Sequence, residues 1–190
     1  MNRNVSTTDD VLALMDGLFA PEADRWTAGG ASWWDEFYAD RSRPVPFFAD
    51  KPDENLDAHL RQGRIAPGRS ALGAGPYDLI YDSGCFHHLP PHRRISYLAL
   101  LERCLAPGGH FALTCFAAGE GGMGSELPDA ELYLTGGLHG GLAYTDDELR
   151  HVFSGLTEIE LRRMNDEAPE SPVFGEPFLW TALFRAPARS

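Results

Sequence analysis

Two short apolar runs, Tyr77 to Asp82 and His110 to Phe116, flank a helical pattern and a Pro-Gly-Gly turn, and this unit constrains the fold more than any other feature. The first run, Tyr77-Asp78-Leu79-Ile80-Tyr81-Asp82, is too short and too apolar for a surface helix and reads as a buried strand. From about Pro91 to Cys104, Ile95, Leu98 and Leu101 recur at helical intervals, continued by Leu105. Leu105-Ala106-Pro107-Gly108-Gly109 then supplies turn chemistry ahead of the second strand. A strand, a helix and a second strand in that order belong to an α/β sheet.

The flanking segments extend that reading. Thr145-Asp146-Asp147-Glu148 is a capping box ahead of a helix carrying Leu149, Val152 and Phe153. Thr157 to Met164 alternates apolar and polar residues as a half-exposed strand does, whereas Phe178 to Phe184 is apolar nearly throughout. Toward the N-terminus, Thr7 to Phe19 is expected to form an amphipathic helix ended by Pro21. Ala31 to Tyr38 is expected to form a helix with Trp33, Trp34, Phe37 and Tyr38 grouped mostly on one side, and Asn55 to Gln62 a third. The stretches Arg64 to Pro76 and Ala118 to Gly141 are rich in glycine or proline and read as loops. At 190 residues the chain is expected to form one domain, with residues 1–63 as a helical cap and 77–186 as the sheet-bearing part.

A formal charge of −12, with no clustered Lys and Arg, argues against binding nucleic acid through its phosphates. Cys85, Cys104 and Cys115 have none of the paired spacings of zinc or redox sites, which implies a reducing compartment. No apolar stretch approaches the roughly 18 residues that suggest a membrane span, and MNRNVSTTDD lacks the basic and apolar segments of a leader, so a cytoplasmic protein is expected.

The run Asp78 to His88, the helix after it, and Leu105-Ala106-Pro107-Gly108-Gly109-His110-Phe111 together resemble strands four and five of class I S-adenosylmethionine-dependent methyltransferases. The closer resemblance is to the thiopurine methyltransferase-like branch, whose Asp-Arg-Gly-Ala-Leu type segment is matched by Asp82-Ser83-Gly84-Cys85-Phe86. Ser83 stands where that pattern has arginine, so the arginine's role does not carry over. The similarity covers about Tyr77 to Phe184. It implies a partial Rossmann-like sheet, with strands equivalent to four, five, six and seven, flanking helices and an N-terminal helical segment. The family's glycine-rich cofactor turn after strand one and acidic residue ending strand two are missing. Only Ser70 to Pro76 separate the approach to strand one from strand four, where the family places roughly 60 residues or more at about 30 per βαβ unit. Gly73-Ala74-Gly75, with no strand before it and no helix after it, reads as loop.

The resemblance implies S-adenosylmethionine as cofactor and a small-molecule methyl acceptor. It places Trp34, Tyr38, Asp82, Ser83 and Gly84 on the cofactor side, although Asp82 does not replace the lost ribose-binding carboxylate. Trp33, Cys85, Phe86 and His139 fall in the substrate pocket. His87 and His88 follow strand four, at the carboxyl end where open α/β sheets bind ligands, and either suits a proton acceptor. With His92 they form a histidine group, but no cysteine or carboxylate completes a familiar spacing, and no metal site is expected. The aromatic face from Trp33 to Tyr38 is also what plain core packing requires. Gly136, Gly137, Gly140 and Gly141 mark a flexible loop suited either to closing over a site or to mobile surface.

In the family's strand order, three-two-one-four-five-seven-six, the neighbour of strand four is strand one. Losing the first half turns strand four into an edge, and an apolar edge invites pairing. Association through Leu79 to Tyr81, as a homodimer or with a larger protein, is therefore expected. Three functions stay open: a truncated methyltransferase-like protein acting on a small molecule, a non-catalytic partner subunit, or an enzyme without this cofactor, such as a cyclase.

Overall fold

The structure is a computed structural model, and it describes residues 7–18, 35, 38–41, 50–65, 76–138 and 140–188. Four strands form one mixed sheet: β1 (Tyr77–Ser83), β2 (Leu105–Phe116), β3 (Thr157–Arg163) and β4 (Leu179–Arg185), in the order β1-β2-β4-β3. β1 and β2 are parallel, and β4 runs antiparallel between β2 and β3. That order, with the last strand inserted antiparallel, is the one expected of strands four, five, seven and six. The chain is thus an α/β protein whose partial sheet has the truncated Rossmann-like methyltransferase arrangement.

The helices are α1 (Thr8–Asp16), α2 (Glu54–Arg61), α3 (Arg93–Cys104), α4 (Asp129–Thr135) and α5 (Asp146–Val152), with a 3-10 turn at Phe86–His88. Thr145 and Glu148 close a reciprocal capping box on α5, and Thr7 and Asp10 do the same for α1. α1 ends at Asp16 with Gly17 as its cap, earlier than Pro21 alone would require.

Alternation along the strands gives the sheet two faces of different character. Phe111, Leu113 and Cys115 of β2 and Ala182 and Phe184 of β4 face the main core, where they meet Leu101 of α3, Leu132 of α4, Leu149 of α5 and Phe153 at its end. Ala112 and Leu183 face the other way, onto Ile65 and Leu56. On that second face the first turn of α2 is bound to all four strands by polar contacts. Asp53 accepts from the Tyr81 hydroxyl of β1 at 3.2 Å and from Thr114 of β2 at 3.0 Å. Asn55 donates to Thr181 of β4 at 2.9 Å, and Arg162 of β3 grips Glu54 through two bonds of 2.7 and 2.8 Å. Burial pushes the Glu54 carboxyl up, but the Arg162 guanidinium and the Asn165 backbone N–H outweigh it and hold the group below its ordinary value.

Two loop readings are corrected. The Ala118 to Gly141 segment contains α4, which Gly136 closes in the left-handed conformation. The Pro-Gly-Gly segment lies within β2 rather than before it: Tyr77 pairs with Leu105 and Leu79 with His110, so Ala106 to Gly109 bulge out of the ladder. A Cβ on Gly109 would lie 2.9 Å from the Ala106 carbonyl and 3.1 Å from that of Tyr77, so only glycine fits there. No helix among the described residues is long and apolar enough to cross a membrane.

Candidate functional site

At the carboxyl end of β1 the chain turns through Ser83, Gly84, Cys85 and the Phe86–His88 helical turn, which brings most of the residues singled out in the sequence to one place. Asp82 organises that turn. One of its oxygens accepts from the backbone N–H of Cys85 at 2.7 Å and of Phe86 at 3.3 Å; the other accepts from the Tyr97 hydroxyl at 2.6 Å. Burial, reinforced by the Asp82 carboxylate, pushes the Tyr97 phenol above its ordinary range. Partial burial and the same carboxylate push the Cys85 thiol up, so its thiolate is not favoured. Ser83 is exposed. Phe86 is fully buried between Tyr97, Tyr144 and Phe153 and packs as core rather than lining open space, which corrects its expected place in a pocket.

His87 and His88 are both buried. The His87 ring stacks on Phe116, the last residue of β2, with centroids 3.7 Å apart, and its Nδ1 accepts the Phe116 backbone N–H at 3.2 Å. An accepting Nδ1 places the proton of the neutral ring on Nε2. His88 meets the His87 ring edge-on at 4.2 Å. The loop after β2 covers the pair: Leu142 donates to the His87 carbonyl at 2.7 Å, and Gly141, at φ 134°, comes so close that a Cβ there would lie 2.9 Å from Phe116 and 3.0 Å from His88 Nδ1. This glycine seats the loop on the histidines.

His92 faces elsewhere. Its Nε2 lies 2.5 Å from an Asp16 carboxylate oxygen and its Nδ1 2.7 Å from the Tyr133 hydroxyl, so it joins α1 to α4 at the start of α3. No group of three or more His, Cys, Asp or Glu among the described residues is placed to hold a metal. Tyr38 is exposed at 45%. Trp33, Trp34 and His139 lie outside the described residues, as does most of the expected aromatic helix.

A groove of about 630 Å³ opens beside the carboxyl end of β2, between the loop after β2 and α5; Arg94, Ala118, Leu127, Asp129, Tyr144 and Val152 are among its lining residues. Its size is that of a small-molecule site. Arg94 is locked there, donating to Asp129 at 2.6 and 3.0 Å and to the Tyr144 hydroxyl at 3.0 Å. The groove was not evident from the sequence, because its walls come from segments separated by a helix and a loop.

S-adenosylmethionine finds no cradle among the described residues. Both Asp82 oxygens already accept hydrogen bonds, one from the N–H groups of its own turn and the other from Tyr97 of α3. The stretch 66–75, which holds Gly73-Ala74-Gly75, lies outside the described residues.

No family model and no curated protein matches the chain. Among solved structures, the N-methyltransferase NodS from Bradyrhizobium japonicum WM9 is similar at 20% identity and a TM-score of 0.35, over 68% of this chain and 66% of that one. A 1,6-didemethyltoxoflavin-N1-methyltransferase from Burkholderia thailandensis is similar at 16% identity and a TM-score of 0.42, over 98% of this chain and 93% of that one. TehB from Haemophilus influenzae is similar at 17% identity and a TM-score of 0.37, over 70% of this chain and 47% of that one. The chain thus spans less than two thirds of the NodS structure and about half of TehB. The fold assignment rests on the strand order and on the antiparallel β4, not on these scores.

Proposed function

We propose that this chain is a methyltransferase-like protein, of the thiopurine methyltransferase-like kind, that binds a small molecule at the carboxyl ends of β1 and β2. The observation that carries the reading is the β1-β2-β4-β3 order with antiparallel β4, which puts the turn after β1 and the end of β2 where open α/β sheets take their ligands. In this reading His88 accepts the proton of the bound molecule, while His87, its Nδ1 held by the Phe116 backbone N–H, offers its Nε2–H as a hydrogen-bond donor. Trp33, Cys85 and His139 border that molecule. Trp34, Tyr38, Ser83 and Gly84 lie toward a methyl donor, with Asp82 shaping the turn behind them.

Methyl transfer depends largely on holding donor and acceptor in line, so it requires a donor cradle beyond the described residues. Isothermal titration with S-adenosylmethionine and S-adenosylhomocysteine tests this. Heat at micromolar ligand supports a methyltransferase; silence at millimolar ligand leaves it without a donor and removes the transferase part of the reading.

A second reading, a subunit that works through association, is favoured by the position of β1. Among the described residues β1 is paired on one side only, and its central Leu79-Ile80-Tyr81 carries no charge. An edge of that kind is suited to receive another strand.

A further inference from the structure

We propose that the groove between the loop after β2 and α5 is a binding site for a small organic cation, a protonated amine carried on an apolar body. None of the residues from Asp82 to His88 is among those lining it, so the site is separate from the turn after β1 and the inference does not depend on that reading. Its volume of about 630 Å³ falls within the range of small-molecule sites.

The deeper part of the lining is apolar and holds no charge for an anion. Leu142 and Tyr144 are 2% and 3% exposed, and Val152 is half-buried. The Tyr144 hydroxyl accepts from Arg94, whose guanidinium lies over the Tyr144 ring and donates two bonds to Asp129. A guanidinium matched to a carboxylate in this way carries no net positive charge into the groove. The first turn of α5 is equally committed: the Thr145 hydroxyl accepts from the Glu148 N–H, and Glu148 accepts from the Thr145 N–H.

The exposed part of the lining carries the excess charge, and it is negative. Glu126, Asp147 and Glu148 are exposed and line the groove together with Asp129, while Arg94 and His151 are the basic residues of the lining. Glu126 accepts from the Gly119 N–H at 2.9 Å and Glu148 from the Thr145 N–H at 2.8 Å, both neutral donors. Asp147 reaches Arg150 at 3.4 Å, but Arg150 is held more closely by Asp146 at 2.6 Å and Glu158 at 2.9 Å. The formal charge of −12 over the whole chain draws cations in the same direction. Charge complementarity therefore selects an ammonium for the exposed carboxylates, and the buried wall selects a hydrocarbon or aromatic body behind it. A bare metal ion is not matched, because no group of three or more His, Cys, Asp or Glu among the described residues is placed to hold one.

The test uses the full chain and three probes that share one ring system and differ in charge: tryptamine, neutral tryptophol and anionic indole-3-propionate. Amide chemical-shift titration reads both where and how tightly each binds. At about pH 8, where an ordinary imidazole is neutral and an alkyl ammonium is charged, tryptamine should bind about tenfold more tightly than tryptophol in low salt. Indole-3-propionate should be weakest, and the shifts should centre on Ala143, Tyr144 and Val152. About 0.5 M salt should bring the preference for tryptamine below about threefold. Glu126→Gln combined with Asp147→Asn, both at exposed positions, should weaken tryptamine about fivefold and leave tryptophol unchanged.

Tryptophol or indole-3-propionate binding as tightly as tryptamine overturns the cation as occupant. Tryptamine binding that ignores the double substitution overturns the carboxylates as its selectors. Shifts confined to Asp82 to His88 overturn the groove while supporting the reading of the turn after β1. No saturable shift with any probe up to its solubility limit overturns the groove as a site. Circular dichroism matching the parent qualifies the double variant.

Discussion

The two edge strands of the sheet solve the same problem in opposite ways. β3 alternates charge with apolar residues, carries a register irregularity, and leaves Ile159 only 38% exposed among Glu and Arg side chains. β1 has an uncharged centre, with Asp78 as its one exposed charge. The contrast teaches that β3 is built as an outer edge and β1 as an interior strand. Both are nevertheless fastened by one device, the first turn of α2, through Asp53 to Tyr81 on β1 and through Glu54 to Arg162 on β3.

That shared fastening gives the largest expected effect. Glu54→Ala would take from Arg162, whose side chain is a third exposed, its two-bond partner and leave it with Glu160 as its one carboxylate. Breaking a buried pair from one side typically costs 3–5 kcal/mol, and partial exposure of the arginine reduces this to about 2–3 kcal/mol. Urea denaturation measures it; a loss under about 0.5 kcal/mol would mean that β3 is not held by α2. Next comes Asp53→Ala, which removes the cap of α2 as well as the acceptor for Tyr81 and Thr114. About 2 kcal/mol is expected, with faster amide exchange in β1 than in β3.

A smaller effect is visible at high pH. Burial, and then the Asp53 carboxylate, push the Tyr81 phenol up to about 12 from an ordinary value of 10.0. Because the folded pKa is the higher one, the stability linked to Tyr81 is complete below pH 10 and is lost as pH rises from there through about 12. Tyr97 and Tyr144 are raised in the same sense. The measurement is therefore the difference between the parent and Tyr81→Phe, whose stability should fall less steeply above pH 10. Equal slopes would detach Tyr81 from Asp53. Smallest of all, Ile159→Lys on β3 should change stability by under about 0.5 kcal/mol and leave the association state untouched. A shift in association would show that β3 is no idle edge.

Much of this architecture is legible in the residues. Tyr77 to Asp82, the helix ending at Cys104, the capping box at Thr145 and the two late strands all lie where periodicity and capping put them, because each depends on neighbours in sequence. α4 escapes notice because its seven residues are too few to establish a period and sit between glycine-rich stretches. The bulge at Ala106 to Gly109 escapes because Pro-Gly-Gly signals a turn whether or not pairing resumes before it. At the candidate site, the grouping of Asp82 to His88 follows from continuity of chain. That Asp82 is shared between its own turn and Tyr97, and that Phe86 faces the core, depends on Tyr97, Tyr144 and Phe153, which sequence spacing does not bring near. The clamp from Asp53 to Asn55 joins residues from 28 to 126 positions apart and has no local signature.

The difference between the two edges is tested most directly by residue-resolved amide hydrogen exchange at two protein concentrations. The account predicts that the outward amides of Leu79 and Tyr81 are protected at high concentration and lose protection on dilution. The inward amides of Ile80 and Asp82 should stay slow, and the outer amides of β3 should exchange quickly throughout. Outward β1 amides that exchange as quickly as those of β3 at every concentration would contradict it.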